Sequence, residues 1–191
     1  MTSATDSHDA VTADWAVGLL DFWFNQVGEK GWWRHDQATD RACADLYLAL
    51  WQNMQTREPG DFLDRADEAL AAILLFDQMP RNMFRGGAEA FQTDALARDI
   101  ARGAIARGYD VQIGGAGRRF FYMPFMHSEA MEDQDLSLTL FEGAGDAESL
   151  DFARRHRAMI ERYGRFPHRN AALGRTTRPE ERDAIAESEG W

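Results

Sequence analysis

Three of the five prolines mark strings of side chains able to do chemistry. In "FDQMPRNMFRGG", residues 76–87, Asp77, Gln78, Arg81, Asn82 and Arg85 surround Pro80. In "YMPFMHSEAMEDQD", residues 122–135, His127 and Glu129 follow Pro124, and in "RFPHRN", residues 165–170, Arg165, His168, Arg169 and Asn170 flank Pro167. Guanidinium groups pair in two-pronged fashion with carboxylate or phosphate, and a histidine exchanges a proton near neutral pH. Two chemistries follow. One is recognition of an anion by Gln78, Arg81, Asn82, Arg85, Arg165, Arg169 and Asn170. The other is acid–base work by His127 or His168, with Asp77 or Glu129 orienting the imidazole and arginines stabilising developing negative charge.

Several alternatives fail on spacing. His127-Ser128-Glu129 fits the His-x-Glu half of the zinc deaminase signature, but the chain has one cysteine and no Pro-Cys-x-x-Cys. The His-Glu-x-x-His and Glu-x-x-His metal patterns are missing, so no metal or other cofactor is expected. Ser128 and Glu132 would share a helix face at i,i+4. No Ser-His-Asp set, phosphate-binding glycine loop or nucleophile elbow occurs. Cys43, in the helical pattern "DRACADLYLAL", reads as a buried packing thiol.

Charge narrows the partners. With 32 carboxylates against 21 bases the net charge is −11, which argues against a protein that wraps nucleic acid. The distribution is uneven: residues 125–151 hold eight acids and no Lys or Arg, whereas residues 152–175 hold seven arginines and one acid, Glu161. No window supplies the roughly 18–20 apolar residues of a membrane span, and "MTSATDSHDA" has no signal-peptide core. A soluble, cytoplasmic protein is expected.

The elements that must position these groups read as helices throughout. At 191 residues, with 45% hydrophobic residues, one domain with a real core is expected. Residues 1–10 read as a disordered leader, 11–187 as the all-α domain and 188–191 as a tail. A first helix from Thr12 to about Phe24 aligns Trp15, Leu19, Phe22 and Trp23. A second, from Gln37, turns Ala42, Leu46, Ala49 and Leu50 inward. "ADEALAAILLFDQ" is apolar on most sides and belongs in the core centre, with Asp77 in its last turn. There the helix dipole disfavours a negative charge by about 0.3–1 kcal/mol, so an Asp77–Arg pair is expected to lock the Pro80 turn.

A fourth helix starts from Thr93 as N-cap and ends at Gly108. "YDVQIGGAG" reads as loop, with a short hairpin as the alternative. Residues 118–133 read as a helix kinked or restarted at Pro124, "QDLSLTLFEGA" as another helix, and "ESLDFARRHRAMIERYG" as a long helix closed by Gly164. Thr177 and Glu180 have capping-box spacing for a last helix over 178–187. The total is seven or eight helices and no strand, without a detectable sequence repeat.

Read in order, "LLDFWF", "ILLFDQMPRNMFRG" with "AFQTDALA", "YMPFMHSEAMEDQ" and "FARRHRAMIERYGRFPHRNAALGRTTRPEE" resemble the bacterial family known as domain of unknown function 924. The likeness runs from Leu19 to Glu181. It implies a right-handed, tetratricopeptide-repeat-like helical array, and it makes the polar residues of the three strings a family signature. It implies no established reaction.

Three readings follow. The first is a concave cleft lined by Arg and His that binds an anionic small molecule or an acidic protein segment. The second is a hydrolase or transferase using His127 or His168. The third is architectural: arginines and carboxylates pair across helices and fix how they pack, in a protein that serves interactions.

Overall fold

The computed structural model describes residues 15–187, which are all-α, with no strand among them. The expected leader over 1–10, the start of the first helix at Thr12 and the tail over 188–191 lie outside the described residues. No helix among those described is long and apolar enough to cross a membrane. The anticipated helices are divided into more and shorter pieces joined by 3-10 turns.

Helix α1 covers residues 15–27 and is π-helical over Phe22–Val27, so it outruns the expected end at Phe24 by one turn. Gly28, at φ 65°, ends it. After the short α2 (Glu29–Trp32), α3 (Gln37–Met54) is capped by Asp36, whose carboxylate accepts from the backbone of Ala38 and Thr39. The buried face of α3 is not the expected one. Leu46 is 57% exposed, whereas Cys43, Tyr47 and Trp51 are buried. The two aromatic residues win the core face because burial is compatible with their polar ends: Tyr47 Oη donates to Gly18 O at 3.2 Å, and Trp51 Nε1 to Thr93 Oγ1 at 3.1 Å. Cys43 is the packing thiol anticipated, pushed up to about 12 by burial and the nearby Asp40.

The core centre is α4 (Ala66–Ile73), where Ala69 to Ile73 and the following Leu74, Leu75 and Phe76 are almost fully buried. Pro80 was expected to end this helix; instead it continues through a π-helical stretch, Leu74–Gln78, into α5 (Met79–Met83). Proline cannot donate to the carbonyl four residues back, here Phe76. That carbonyl accepts from Thr93 Oγ1 at 2.7 Å instead. Thr93 therefore precedes α6 (Asp94–Ala106) without capping it by its side chain, and bridges Trp51 and Phe76. Thr93→Val should cost about 2–3 kcal/mol by stranding two buried polar groups, and Thr93→Ser should recover most of it, as read by denaturant unfolding.

Beyond Gly108, whose φ of 74° ends α6 as expected, "YDVQI" is a helix, α7 (Tyr109–Ile113), rather than loop. A 3-10 stretch, Gly115–Phe121, leads to α8 (Met123–Met126), and α9 (Met131–Ala144) packs against the helix that follows it, α10 (Ala147–Tyr163). The span 118–133, expected as one helix kinked or restarted at Pro124, restarts there as α8 after the 3-10 stretch, and breaks again over His127–Ala130 before α9. Gly164, at φ 69°, closes α10, as expected. The final segment is a 3-10 turn, Pro179–Glu181, followed by α11 (Arg182–Glu187). Its capping box uses Arg178 and Glu181, one residue beyond the Thr177 and Glu180 pair, because Glu181 is the carboxylate facing inward.

Candidate functional site

The π-helical stretch Leu74–Gln78 places Asp77 inward at 1% exposure, with a carboxylate that several groups share. Its Oδ1 lies 2.8 Å from His127 Nδ1 and 3.1 Å from Arg81 Nη1, and its Oδ2 accepts from Gln78 Nε2 at 2.5 Å. Arg81 also donates to the Asp77 carbonyl and grips Asp94 with two bonds of 3.0 and 3.1 Å. Burial would raise the Asp77 carboxyl, but Arg81 and His127 outweigh it and hold the group below the usual carboxylate range. Asp77 is charged, so it fixes His127 as the Nδ1–H tautomer with its lone pair on Nε2. Burial depresses the His127 imidazole more than Asp77 raises it, leaving it neutral near pH 7.

The turn carrying His127 is held from α9. Gln134, fully buried, donates through Nε2 to Met126 O at 2.8 Å and Ser128 O at 2.6 Å, on either side of His127. Ser128 does not pair with Glu132; its hydroxyl donates to Asp133 at 2.8 Å, because residue 128 lies outside the helix that their spacing assumed. Arg98 and Arg102 reach the same Asp133 at 3.2 and 2.7 Å.

Against His127 stands His156, from α10, with ring centroids 6.3 Å apart. Its Nδ1 lies 2.9 Å from Phe152 O, one turn back, and burial pushes it down to about 3. The Phe166 ring contacts both His156 and His168, at 5.4 and 5.6 Å. His168 is lowered to about 4 by burial and by Arg169. Arg169, 7% exposed, lies between Phe91 and Phe166, its guanidinium carbon 4.6 and 4.5 Å from the two ring centres. Among the described residues its guanidinium makes no hydrogen bond: Nε is buried without an acceptor, and Asp94 Oδ2 is 3.6 Å from Nη1. Burial and the nearby Arg81 lower this arginine to about 10.

The donors of "RFPHRN" are therefore divided. Arg165 pairs with Glu181 through bonds of 2.8 and 2.9 Å, and Asn170 donates to the same carboxylate at 3.0 Å. Glu181, fully buried, also accepts from Arg178 backbone and side chain. Glu129 accepts from Arg175, at 2.8 and 3.0 Å, and from Phe166 N at 2.8 Å. These two carboxylates tie down the loop that presents His168 and Arg169. Arg85 pairs with Asp40 at 2.9 and 2.7 Å near the surface, and Asn82 donates to Gln78 O at 3.0 Å.

Of the signature residues, Asp77, Gln78, Arg81, His127, His168 and Arg169 come together, while Glu129, Arg165 and Asn170 secure the loop. Asn82 and Arg85 are engaged elsewhere, with Gln78 O and Asp40. His156, Asp94 and Phe91 join the cluster without having been singled out for it. For His156 a signal existed, because it shares a face with Ile160, which is buried; Asp94 was hidden behind Thr93, read as a cap. The described histidines and carboxylates form no grouping of three that could hold a metal. Two surface grooves, one beside Asp64 and Tyr109 and one beside Arg118 and Asp146, lie away from the cluster.

The solved structure of ATU0120, a protein of unknown function from Agrobacterium tumefaciens, is similar to this chain at 41% identity, with a TM-score of 0.86 over 93% of this chain and 99% of that one. No curated protein matches. The family described as "bacterial protein of unknown function (DUF924)" matches residues 19–189. With the match spanning nearly the whole described fold and every member of the histidine–arginine cluster, the chain belongs to the DUF924 family.

Proposed function

We propose that the protein binds a small anionic molecule at the cluster formed by Arg169, His127, His156 and His168. The observation that carries this reading is Arg169: a guanidinium 7% exposed, with Nε buried and no hydrogen bond to any described residue, only a long 3.6 Å pair with Asp94. Leaving a buried charged group unsatisfied is destabilising, and an anion supplies what is missing. The other arginines of the signature meet a carboxylate at 2.7–3.1 Å, Arg81 with Asp77 and Asp94, Arg85 with Asp40 and Arg165 with Glu181, whereas Arg169 has only a long 3.6 Å pair with Asp94, which Arg81 already holds by two hydrogen bonds. A small ligand suits the site better than an acidic protein segment, because the donor is a single buried group.

Calorimetric titration with a panel of carboxylates, phosphates and sulfate tests the reading. Arg169→Gln is expected to weaken binding of the preferred anion by about tenfold or more, corresponding to about 1.4 kcal/mol or more. If Arg169→Gln lowers the melting temperature but leaves every anion affinity unchanged, the arginine is architectural and the reading fails.

A second reading, a hydrolase or transferase, is favoured by the Asp77–His127 pair. A carboxylate on Nδ1 with Nε2 engaged by no described residue is the arrangement of a general base and its orienting partner. It requires turnover on an ester, phosphate or amide substrate that His127→Gln abolishes.

A further inference from the structure

We propose that the Arg169 site takes a tetrahedral oxyanion, a sulfate or phosphoryl group, together with a proton held on Nε2 of His127. This rests on the anion-binding reading and goes further, to the ligand's shape and its charge balance.

Shape comes first. A planar carboxylate is served by the fork of a single arginine. Here the polar groups arrive from separate elements: His127 from the turn after α8, His156 from α10, and His168 and Arg169 from the 3-10 turn Pro167–Arg169. Phe166 touches the rings of His156 and His168 and the guanidinium of Arg169, so these three surround one aromatic side chain, and His127 closes on His156. The Nδ1–H of His156 is given to Phe152 O, so the donors that can meet an anion are the N–H groups of Arg169 and, once protonated, Nε2 of His127; donors arriving from two separate elements suit an anion whose oxygens point in four directions.

Charge comes second. The groups acting on His127 are Asp77 and Arg81 from the α4–α5 segment, Asp94 from the start of α6 and His156 from α10; His168 of the loop feels its charge, and Arg169 reaches the same Asp94; Glu129, just after His127, is neutralised by Arg175. Two arginines balance two aspartates, and the imidazoles contribute nothing while neutral. A dianion entering this enclosed place brings charge that the arginines alone do not offset. The group able to answer is His127. Its Nδ1–H already points at Asp77, so a proton added at Nε2 produces an imidazolium held between that carboxylate and the incoming anion.

The sign of the pH dependence follows from linkage. A bound dianion raises the His127 pKa above its value in the empty protein, so affinity is greatest at low pH and declines as pH rises through the raised value. With one proton linked, the decline is about tenfold per pH unit in that window.

Sulfate is the informative probe, because it has no proton of its own to exchange between about pH 6 and about pH 8. Titration calorimetry in two buffers of different ionisation enthalpy measures protons taken up per sulfate bound. Inorganic phosphate, phenyl phosphate and acetate are titrated alongside, the first two distinguishing a free oxyanion from a phosphoryl group on an organic molecule. The expected result for the wild-type chain is sulfate or phosphate binding with net proton uptake at the acid end. His127→Gln should retain binding near pH 8 and lose the uptake, and Arg169→Gln, checked by circular dichroism for folding, should lose binding throughout. Should Arg169→Gln unfold, Arg169→Lys substitutes for it, keeping the charge and losing the fork.

Sulfate binding that depends on Arg169 but carries no proton uptake, or the same uptake in His127→Gln, overturns the proton linkage and leaves the anion site standing. Arg169-dependent binding of acetate alone overturns the ligand class. No binding by any of the four probes overturns the anion-binding reading itself, and this inference with it.

Discussion

Asp77→Ala is expected to lower the unfolding free energy by about 3–5 kcal/mol, among the largest losses available to a single substitution in this chain. The substitution removes the carboxylate acceptor of Gln78, Arg81 and His127 together, and leaves Arg81 with Asp94 and the backbone carbonyl of residue 77. It also frees His127 to take either tautomer, so any proton chemistry at Nε2 should be lost with the stability. Asp77→Asn keeps the shape but offers one acceptor oxygen and no charge, and should fall between the two. Equilibrium unfolding in urea, read by tryptophan fluorescence, gives the comparison. Because the folded Asp77 carboxyl is held below its unfolded value, the wild-type contribution is complete above about pH 4 and declines as pH falls further. The alanine variant should therefore lose less stability than the wild type on acidification below that point. An acid-unfolding profile of equal steepness in both proteins would show that Asp77 is not the group responsible.

Glu181→Ala should produce a loss of similar size, about 3–5 kcal/mol, but a different pattern. Arg165, Asn170 and Arg178 all converge on this carboxylate, so its removal takes the shared charged acceptor from two guanidinium groups and an amide at once, leaving them the weaker neutral acceptors Thr176 O, Tyr163 O and Thr177 Oγ1. The hydrogen bonds from Arg165 hold the Glu181 carboxyl well below the usual range against the opposing effect of burial. Acidification below about pH 4 should reproduce the effect of the substitution. The loop from 165 to 178 should open before the rest of the fold. Native-state hydrogen exchange resolves this: the amides of Phe166, Arg169 and Asn170, bonded to Glu129, Phe166 O and Pro167 O, should lose protection, while those of α9 and α10 keep theirs. If protection falls uniformly across the chain, Glu181 supports the whole fold rather than this loop.

The all-α class was legible in the apolar spacing, and so were features decided within a few residues. The close of α10 at Gly164 is one, since a left-handed φ at a helix end favours glycine. The Asp77–Arg81 pair at i,i+4 is another. What could not be read depends on partners far along the chain. Pro80 looked like a helix end because its effect on the Phe76 carbonyl is local, whereas the remedy, Thr93, comes from 17 residues away. The inward face of α3 was misassigned in favour of Leu46, because a hydrophobic pattern does not know that Tyr47 and Trp51 have hydrogen-bond partners on α1 and before α6.

The candidate site divides along the same line. Arginines and histidines were visible as a group of donors, but which carboxylate each one meets is a tertiary matter. Arg165 and Asn170 belong to Glu181, 16 and 11 residues on, so they are separated from His168 and Arg169 although all four lie within one hexapeptide. The acidic and basic segments likewise do not simply pair with each other: Arg157 meets Asp135, but Asp133 takes Arg98 and Arg102 from α6.

The Arg169 sandwich between Phe91 and Phe166 has a consequence for how free energy is divided between folding and recognition. A guanidinium is ordinarily stripped of water when its ligand arrives, and that cost subtracts from affinity. Here the stripping happens as the loop docks onto the helices, and the two rings keep the side chain from sampling other rotamers. The fold is thereby less stable than it would be with an apolar residue of similar volume at this position. Any anion that reaches the guanidinium meets a donor already dehydrated and already aimed. Preorganisation of this kind moves the cost of binding into the folding step, where it is met once by the hydrophobic core.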